Sequence, residues 1–418
     1  MIVRFCLYGV LKNLRFADPF LVLFLLDLGY SLTAIGSALG AQHLMTSTLE
    51  VPLGVAADRF GRRKSLAGCF LAYAAAFFTY AGLGKDQYLG LALALATFGL
   101  GEALRTGSHK AIILDYLDGR GESHRTTELI GLTRSYSRLA SGAAALGGGV
   151  MLYSTHSYPL LFQASALAAL GGFILMLSYP AALEGEQQRD QGSALPRLSF
   201  GQRVRQLTRD RQVLHLGLQS TLFESQLKLV RKVYIQPLIK QALAGAGLPL
   251  MGLGAIAVGA VELTQDIIGF SGARLAVGFE RRSGNRTRAL TLAYRGALVG
   301  VVGICALSHF ELAWLGIALA VLLSLMQNAR RPVFVASFNE AMDKPQRATT
   351  LSLESLARTV TLAVVLPLAG WLGDSFGLWA AFVPMALLLL GGLAIPIAPD
   401  SAPQDAAISA MGPSAPGS

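Results

Sequence analysis

Long apolar stretches separated by short polar loops dominate this sequence and restrict what it can fold into. A membrane-spanning helix needs roughly 20 mostly apolar residues, and twelve stretches meet this requirement. They lack the alternation of polar and apolar residues that strands of a transmembrane barrel show. The predicted spans 1 to 12 are 5–27, 32–57, 65–84, 87–113, 127–153, 158–181, 212–239, 247–273, 288–308, 311–336, 347–372 and 376–397.

The composition also indicates an all-α polytopic membrane protein. Charged residues make up 14% of the chain and hydrophobic residues 53%, whereas soluble proteins carry about 25% charged residues. The net charge of +10 alone would suit a nucleic-acid partner, but so low a charge density favours a bilayer. Cys6, Cys69 and Cys305 lie in apolar stretches, which predicts buried thiols and no disulfide framework.

Six spans precede a polar interval and six follow it. We therefore predict an N-terminal six-helix bundle over 1–182 and a C-terminal six-helix bundle over 212–398. The interval 183–211 is predicted to be a linker with an amphipathic surface helix, and 399–418 a disordered tail. The halves align at an offset near 220, and duplicated six-helix halves with a solute site between them are typical of transporters.

Lysine and arginine are unevenly distributed between the two sets of loops. Nineteen lie in one set, which includes the central interval, and only Lys85 and Lys240 lie in the other. Because cytoplasmic loops carry the excess of basic residues, we expect both termini in the cytoplasm and a location in a cytoplasmic (inner) membrane. The basic charge is then a signal of topology, and no nucleic-acid partner is expected.

The loop between spans 2 and 3 carries a compact motif. A glycine lets its helix approach a neighbour closely, and an acid at a helix end can interact with the positive end of another helix. A second glycine permits a tight turn, and the basic residues suit anionic lipid headgroups. The residues of this gate motif are Gly54, Asp58, Arg59, Gly61, Arg62 and Arg63.

The motif resembles the signature of the major facilitator superfamily, G-x-x-x-D-R-x-G-R-R/K between the second and third spans. The resemblance implies two pseudo-symmetric six-helix bundles, with spans 1, 4, 7 and 10 lining a central cavity. It also implies that Asp58 latches the cytoplasmic gate against the start of span 11, near Arg347, in the outward-open state. Asp115 resembles an acidic position of the same gate network.

The second half lacks an intact copy of the motif. Val277 stands where Asp58 would be expected, and Glu280 stands where Gly61 would be expected. We therefore expect a latch carried by the N-terminal half alone.

Ionisable side chains inside the spans predict the solute pathway, because each costs roughly 2.5–3.5 kcal/mol at mid-bilayer unless it faces water or a partner. On spans 1, 4 and 7, seven basic residues (Lys110 and Lys232 included) outnumber three acidic ones, which predicts a positive cavity favouring an anionic or zwitterionic solute. Pairing within each helix is the alternative, with Arg15–Asp18 and Glu102–Arg105 at i+3 and Glu224–Lys228 at i+4. The predicted cavity residues are Lys12, Arg15, Asp18, Glu102, Arg105, His109, Glu224, Lys228 and Arg231.

Proton coupling needs a buried carboxylate whose basic partner can be displaced. Glu102, Glu262 and Glu50 are the predicted coupling residues. A structural ion pair or helix packing remains an equal alternative for each of them.

These features predict a secondary transporter that moves a small organic solute by alternating access, coupled to protons. Alternatives are an antiporter that exports lipophilic compounds and a transporter-like sensor that does not transport. An enzyme is not expected, since the six histidines form no i+3 or i+4 pair and no nucleophile or phosphate-binding motif occurs. We expect a monomer in lipid, with no metal and no cofactor.

Overall fold

The computed structural model describes residues 1–180, 211–341 and 347–396, and the side chains of all of these except 270–275 and 347–349. These residues form helices and no β-strand. The predicted linker and tail, apart from Arg211, lie outside them. The helices are α1 Ile2–Asn13, α2 Leu21–Asp27, α3 Leu32–Phe60, α4 Arg62–Ala81, α5 Tyr88–Arg105, α6 Ser108–Asp118, α7 Thr126–Thr155, α8 Tyr158–Leu177, α9 Arg211–Leu229, α10 Ile235–Gly245, α11 Ala255–Ser283, α12 Arg286–His309, α13 Ala313–Glu340, α14 Arg347–Phe376 and α15 Val383–Leu393.

Each predicted span coincides with helix in the structure, so the all-α membrane architecture is confirmed. Among the described residues, six helical segments are long and apolar enough to cross a bilayer by length and composition alone. They are Tyr88–Asp118, Tyr158–Leu177, Leu250–Gly269, Arg286–His309, Ala313–Glu340 and Thr350–Phe376.

Spans 1, 4 and 7 are not continuous α-helices, a feature that the length of the apolar stretches does not predict. Span 1 stops after Asn13 and resumes through a short 3-10 turn containing Pro19, which has no N–H to donate. Span 4 breaks at Gly107, where φ is +78°. Span 7 widens into a π-helical turn over Val230–Tyr234. Broken helices leave backbone groups available at mid-membrane depth, which transporters use at their binding sites.

The two halves meet along two helix pairs, α3 with α14 and α7 with α11. Glycines permit these contacts: a Cβ atom at Gly149 would lie 2.6 Å from the carbonyl oxygen of Ala255, and one at Gly259 would lie 2.5 Å from that of Ala145. Small residues at helix interfaces allow such close approach in membranes. The site described next lies between these pairs.

Candidate functional site

A polar cavity of about 490 Å³ lies between the two halves. Residues of both halves line it, from the break in span 1 to the π-helical turn of span 7 and α11. Its charged lining residues are Arg15, Asp18, Glu102, Lys228, Lys232 and Glu262. Its other polar lining residues are Asn13, Gln42, His43, Thr46, Ser141 and Gln236.

The carboxylate of Glu102 is the centre of the N-terminal charge cluster. It accepts hydrogen bonds from Arg15 (2.8 Å), Tyr73 (2.7 Å) and Arg105 (2.6 Å). The guanidinium of Arg15 also lies 4.4 Å from the ring centre of Tyr73 and 4.9 Å from that of Phe98. Every charged member of this cluster is thus held in place by groups from more than one helix.

Asp18 completes this cluster at the cavity wall. Its carboxylate lies 3.6 Å from the Arg15 guanidinium, three residues earlier in the chain. The predicted pairs Arg15–Asp18 and Glu102–Arg105 therefore both form.

A second charge cluster lies inside the C-terminal half. Glu224, on α9, accepts a 2.7 Å hydrogen bond from Gln327 and lies 3.7 Å from Arg330 on α13. Glu354, on α14, lies 3.5 Å from Arg331 and 3.3 Å from Arg358. We call these residues, Glu224, Gln327, Arg330, Arg331, Glu354 and Arg358, the inner cluster. The Arg330 side chain is only 1% exposed, so the inner cluster binds helices together and does not face the cavity.

The remaining cavity charges differ in their pairing. The Lys232 ammonium lies 2.7 Å from the carboxylate of Glu262, which links span 7 to α11. Lys228 is exposed, and it has no acidic partner within 4 Å among the residues that the structure describes. The cavity therefore contains one basic side chain whose charge is not matched locally.

Four of the nine predicted cavity residues line this cavity: Arg15, Asp18, Glu102 and Lys228. Arg105 instead lies behind Glu102, to which it is bonded. Lys12 and Arg231 are also absent from the lining, and a buried Nε atom of Arg231 has no hydrogen-bond partner among the described residues.

Two predictions about individual side chains need correction. His109 does not continue the charged face of span 4, because the break at Gly107 turns α6 and stacks His109 on Tyr8 with 3.6 Å between ring centres. Glu224 does not pair with Lys228 or face the cavity, because Arg330 is buried beside it and needs the carboxylate as its partner.

The predicted positive lining is wrong for this cavity. Three basic and three acidic side chains line it, because the other basic residues of spans 1, 4 and 7 point elsewhere. The expectation that span 10 contributes is also not met, as none of the described lining residues belongs to α13.

Sequence reasoning missed the part of the lining that comes from spans 2 and 5. Gln42, His43 and Thr46 lie within two turns of α3, and Ser141 lies on α7. The sequence does contain a pattern that indicates this part of the lining, because Leu39, Gln42 and Thr46 have the spacing of residues on one face of a helix. The resemblance names spans 1, 4, 7 and 10 as the lining helices and therefore does not point to these residues.

The two coupling candidates outside the N-terminal cluster have different surroundings. Glu262 is buried and has Lys232 as its basic partner. Glu50 is partly exposed on α3 and has no ion-pair or hydrogen-bond partner among the described residues.

One end of the molecule is held shut by contacts between the halves, and we call it the closed end. Asp374, at the end of α14, accepts hydrogen bonds from the backbone N–H groups of Leu32 (2.9 Å) and Thr33 (2.8 Å). Lys240 lies 2.6 Å from Asp27 of the other half.

The break in span 1 adds a further contact near the closed end. The side-chain oxygen of Gln236, on α10, accepts a 2.9 Å hydrogen bond from the N–H of Val22, in the first turn of α2. A side chain of the C-terminal half thus caps a helix of the N-terminal half.

The opposite end, which we call the motif end, contains the gate motif. Asp58 pairs with Arg62 at 2.9 Å, and Arg62 pairs with Asp115 at 2.7 Å, all within the N-terminal half. In the C-terminal half, Glu280 instead pairs with Arg286 at 2.8 Å. These three ion pairs therefore stay within their own halves, whereas Arg138 on α7 lies 3.9 Å from Asp266 on α11 and so links the halves nearer the cavity. The side chain of Arg347, near the predicted partner of Asp58, lies outside the described residues.

The loop before α7 shows a small charge cluster at the motif end, outside the spans. Arg120 and Arg125 donate hydrogen bonds to Glu122 at 3.1 and 2.8 Å, and these bonds lower the pKa of the Glu122 carboxyl. The two arginines therefore favour the ionised form of this carboxylate.

Comparison with known proteins identifies the family to which this architecture belongs. Residues 2–279 match the sequence profile of the Major Facilitator Superfamily. No curated protein matches the sequence significantly. Among solved structures, the nucleoside transporter NupG is 15% identical with a TM-score of 0.68, covering 94% of this chain and 96% of that one.

Two further solved structures share the fold. A D-xylose-proton symporter is 14% identical with a TM-score of 0.67, covering 94% of this chain and 96% of that one. The peptide transporter POT in complex with sulfate is 15% identical with a TM-score of 0.66, covering 94% of each chain.

Proposed function

We propose that this chain, which belongs to the Major Facilitator Superfamily of membrane transporters, moves a small polar solute carrying one anionic group. The observation that carries the proposal is Lys228, which is exposed in the cavity and has no acidic partner within 4 Å among the described residues. Arg15 and Lys232, the other basic lining residues, are both paired with carboxylates. A solute anion would supply the partner that Lys228 lacks, and a charge in a low-dielectric cavity is stabilised by such a partner.

The size and polarity of the cavity support a small polar solute over a lipophilic one. Its volume of about 490 Å³ falls within the range of roughly 300–1,000 Å³ that encloses small organic ligands. Six charged side chains in the lining would lose hydration against an apolar solute without gaining a partner. This argues for the polar solute over the efflux of lipophilic compounds.

Among the three coupling candidates, Glu262 is best arranged to exchange a proton. Glu102 accepts three hydrogen bonds and has two guanidinium partners, so releasing it requires several contacts to break. Glu262 has one ion-pair partner, Lys232, whose side chain is 43% exposed. Movement of that single side chain would free the carboxylate.

We place the motif end in the cytoplasm, together with both termini, in a cytoplasmic membrane. The basic loops lie at this end, as the distribution of lysine and arginine requires. In this orientation the structure is closed to the outside, and Asp58 would engage the start of α14 when the cavity opens outward. Transport then follows from rocking of the two halves around the cavity.

A ligand-stabilisation screen tests the substrate class. Purified full-length protein is heated with monocarboxylates, dicarboxylates, amino acids, neutral sugars, nucleosides and lipophilic cations. A ligand at 100 times its Kd stabilises the folded state by about 2.7 kcal/mol, so we expect a clear rise in melting temperature from a monoanionic compound. Lys228→Gln should abolish that rise.

Lys110→Gln is the matched control, because Lys110 is an exposed lysine of α6 that does not line the cavity. It should leave ligand stabilisation unchanged. Stabilisation by a neutral sugar or a lipophilic cation that is equal in both variants would contradict the anionic substrate. A lipophilic cation would then favour the efflux alternative.

A further inference from the structure

The helices α3 and α14 end in the same pattern of residues. Residues 54–61 and residues 370–377 both read G-x-x-x-D-x-F-G. The last glycine follows the helix in each case and has positive φ, +104° at Gly61 and +98° at Gly377. A non-glycine residue is strained in this backbone region. The two helices therefore share both a sequence pattern and a way of ending.

The two copies lie at opposite ends of one antiparallel helix pair. The start of α3 packs against the end of α14, since Gly36 approaches Leu366 and Gly40 approaches Ala363. The first copy is consequently at the motif end, and the second is at the closed end. The alignment of the two halves at an offset near 220 could not detect this repeat, because α3 and α14 are not equivalent in that alignment.

The second copy is engaged with the opposite helix. One carboxylate oxygen of Asp374 accepts from the N–H of Leu32 at 2.9 Å, and the other accepts from the N–H and the hydroxyl of Thr33 at 2.8 and 2.6 Å. These N–H groups belong to the first turn of α3, where no carbonyl of the helix can bind them and the helix end is positive. Gly370 allows this approach, because a Cβ atom at this position would overlap the carbonyl group of Leu32.

Among the residues that the structure describes, the first copy has no such partner. Asp58 pairs with Arg62 of its own half. Gly54, which corresponds to Gly370, has no described atom within 4 Å of the position where its Cβ would be. The aspartate of the pattern therefore binds the opposite helix at the closed end, whereas at the motif end no described contact joins it to the opposite helix.

We propose that Asp374 is a latch that holds the closed end shut by capping α3. It is the counterpart of Asp58, and rocking that separates α3 from α14 at one end brings them together at the other. The two carboxylates are thus engaged in turn, and Asp374 stabilises the conformation seen here.

Distance measurements between spin labels test the latch in the full-length chain in lipid nanodiscs, without any solute. Lys85→Cys and Leu312→Cys carry the labels, because both residues are exposed and lie on different halves at the closed end. The native cysteines, Cys6, Cys69 and Cys305, are replaced in this background. Hydrogen bonds to a charged group contribute strongly to the stability of a conformation. Without them the closed end should open more often, so Asp374→Ala should raise the ratio of long to short distances between the two labels by about tenfold.

Ser31→Ala is the matched control, because Ser31 caps the same helix from within its own half by accepting from Ala34 at 3.1 Å. It should leave the distance distribution unchanged. Thr33→Val removes one of the three bonds to Asp374 and should give a smaller shift in the same direction. Asp58→Asn should shift the ratio the opposite way.

An Asp374→Ala distribution identical to that of the unmodified chain overturns the latch, and so does an equal shift in Ser31→Ala. If Asp374→Ala does not reach the membrane, the contrast between Thr33→Val and Ser31→Ala decides the same question. Because no solute is present, either outcome is independent of the proposed substrate.

Discussion

The two halves of this transporter share an architecture but use charge differently. The N-terminal cluster around Glu102 faces the cavity, and all its acids are bonded to basic partners or a tyrosine. The inner cluster of the C-terminal half is buried between α9, α13 and α14, and several of its polar atoms have no hydrogen-bond partner among the described residues. The charges of the N-terminal cluster face the cavity, whereas the charges of the inner cluster hold helices together.

This contrast predicts different consequences when a charge is removed. Loss of a buried partner leaves an uncompensated ion that water cannot reach, and the cost is large. Loss of a partner at the cavity wall leaves an ion that water or a solute anion can still approach. The predictions that follow separate these two cases.

The largest effect is expected from Arg330→Met. This change keeps much of the side-chain volume but removes the buried guanidinium beside Glu224, and breaking a buried pair costs on the order of 3 kcal/mol or more. The free energy of unfolding in detergent titration should fall by that amount. Arg331→Met is the control, since Arg331 is 33% exposed and its loss should cost less than about 1 kcal/mol. Equal losses of unfolding free energy in the two variants would show that burial of the arginine does not determine the cost of removing it.

An intermediate effect is expected from Glu102→Gln. The amide keeps the shape of the side chain but leaves Arg105 without its carboxylate and Arg15 with Asp18 alone, at a cost of about 1–3 kcal/mol in the free energy of unfolding. Added small anions should restore part of this loss because they can enter the cavity and bind Arg15. The same anions should not rescue Arg330→Met. Equal rescue of both variants would contradict the distinction between a cavity cluster and a buried one.

The smallest effect on stability is expected from Glu262→Gln. Its partner Lys232 is 43% exposed, so the free energy of unfolding should change by less than about 1 kcal/mol. If Glu262 carries the coupled proton, the pH dependence of ligand stabilisation should disappear in this variant. Glu50→Gln, the matched control on α3, should retain it. If only Glu50→Gln lost the pH dependence, the coupled proton would belong to Glu50 and our assignment to Glu262 would be wrong.

The sequence predicted the architecture well because apolar length and basic loops are local properties. The boundaries of α3, α7 and α14 agree closely with spans 2, 5 and 11. The breaks in spans 1 and 4 were harder to foresee, because Pro19 and Gly107 are also tolerated in continuous membrane helices.

The site was predicted less completely, because cavity lining depends on which face each helix turns inward. Arg15 and Glu102 were found from charge inside apolar segments. Glu224 has the same local signal, yet its partner Arg330 lies more than 100 positions away in the sequence. No spacing within one helix reveals that partner, so the roles of Glu102 and Glu224 separate only in three dimensions.

The short helix α2 contacts both halves. It packs on α3 of its own half and on α10 of the other half, and the hydroxyl of Tyr158, on α8, donates a 3.0 Å hydrogen bond to Asp27. Gln236 caps its first turn, and Lys240 binds Asp27 at its end. The break at 14–20 therefore leaves α2 as a short helix that joins the two halves beside the cavity. Asp27 has one partner in each half, so rocking of the halves around the cavity would separate one of these two contacts.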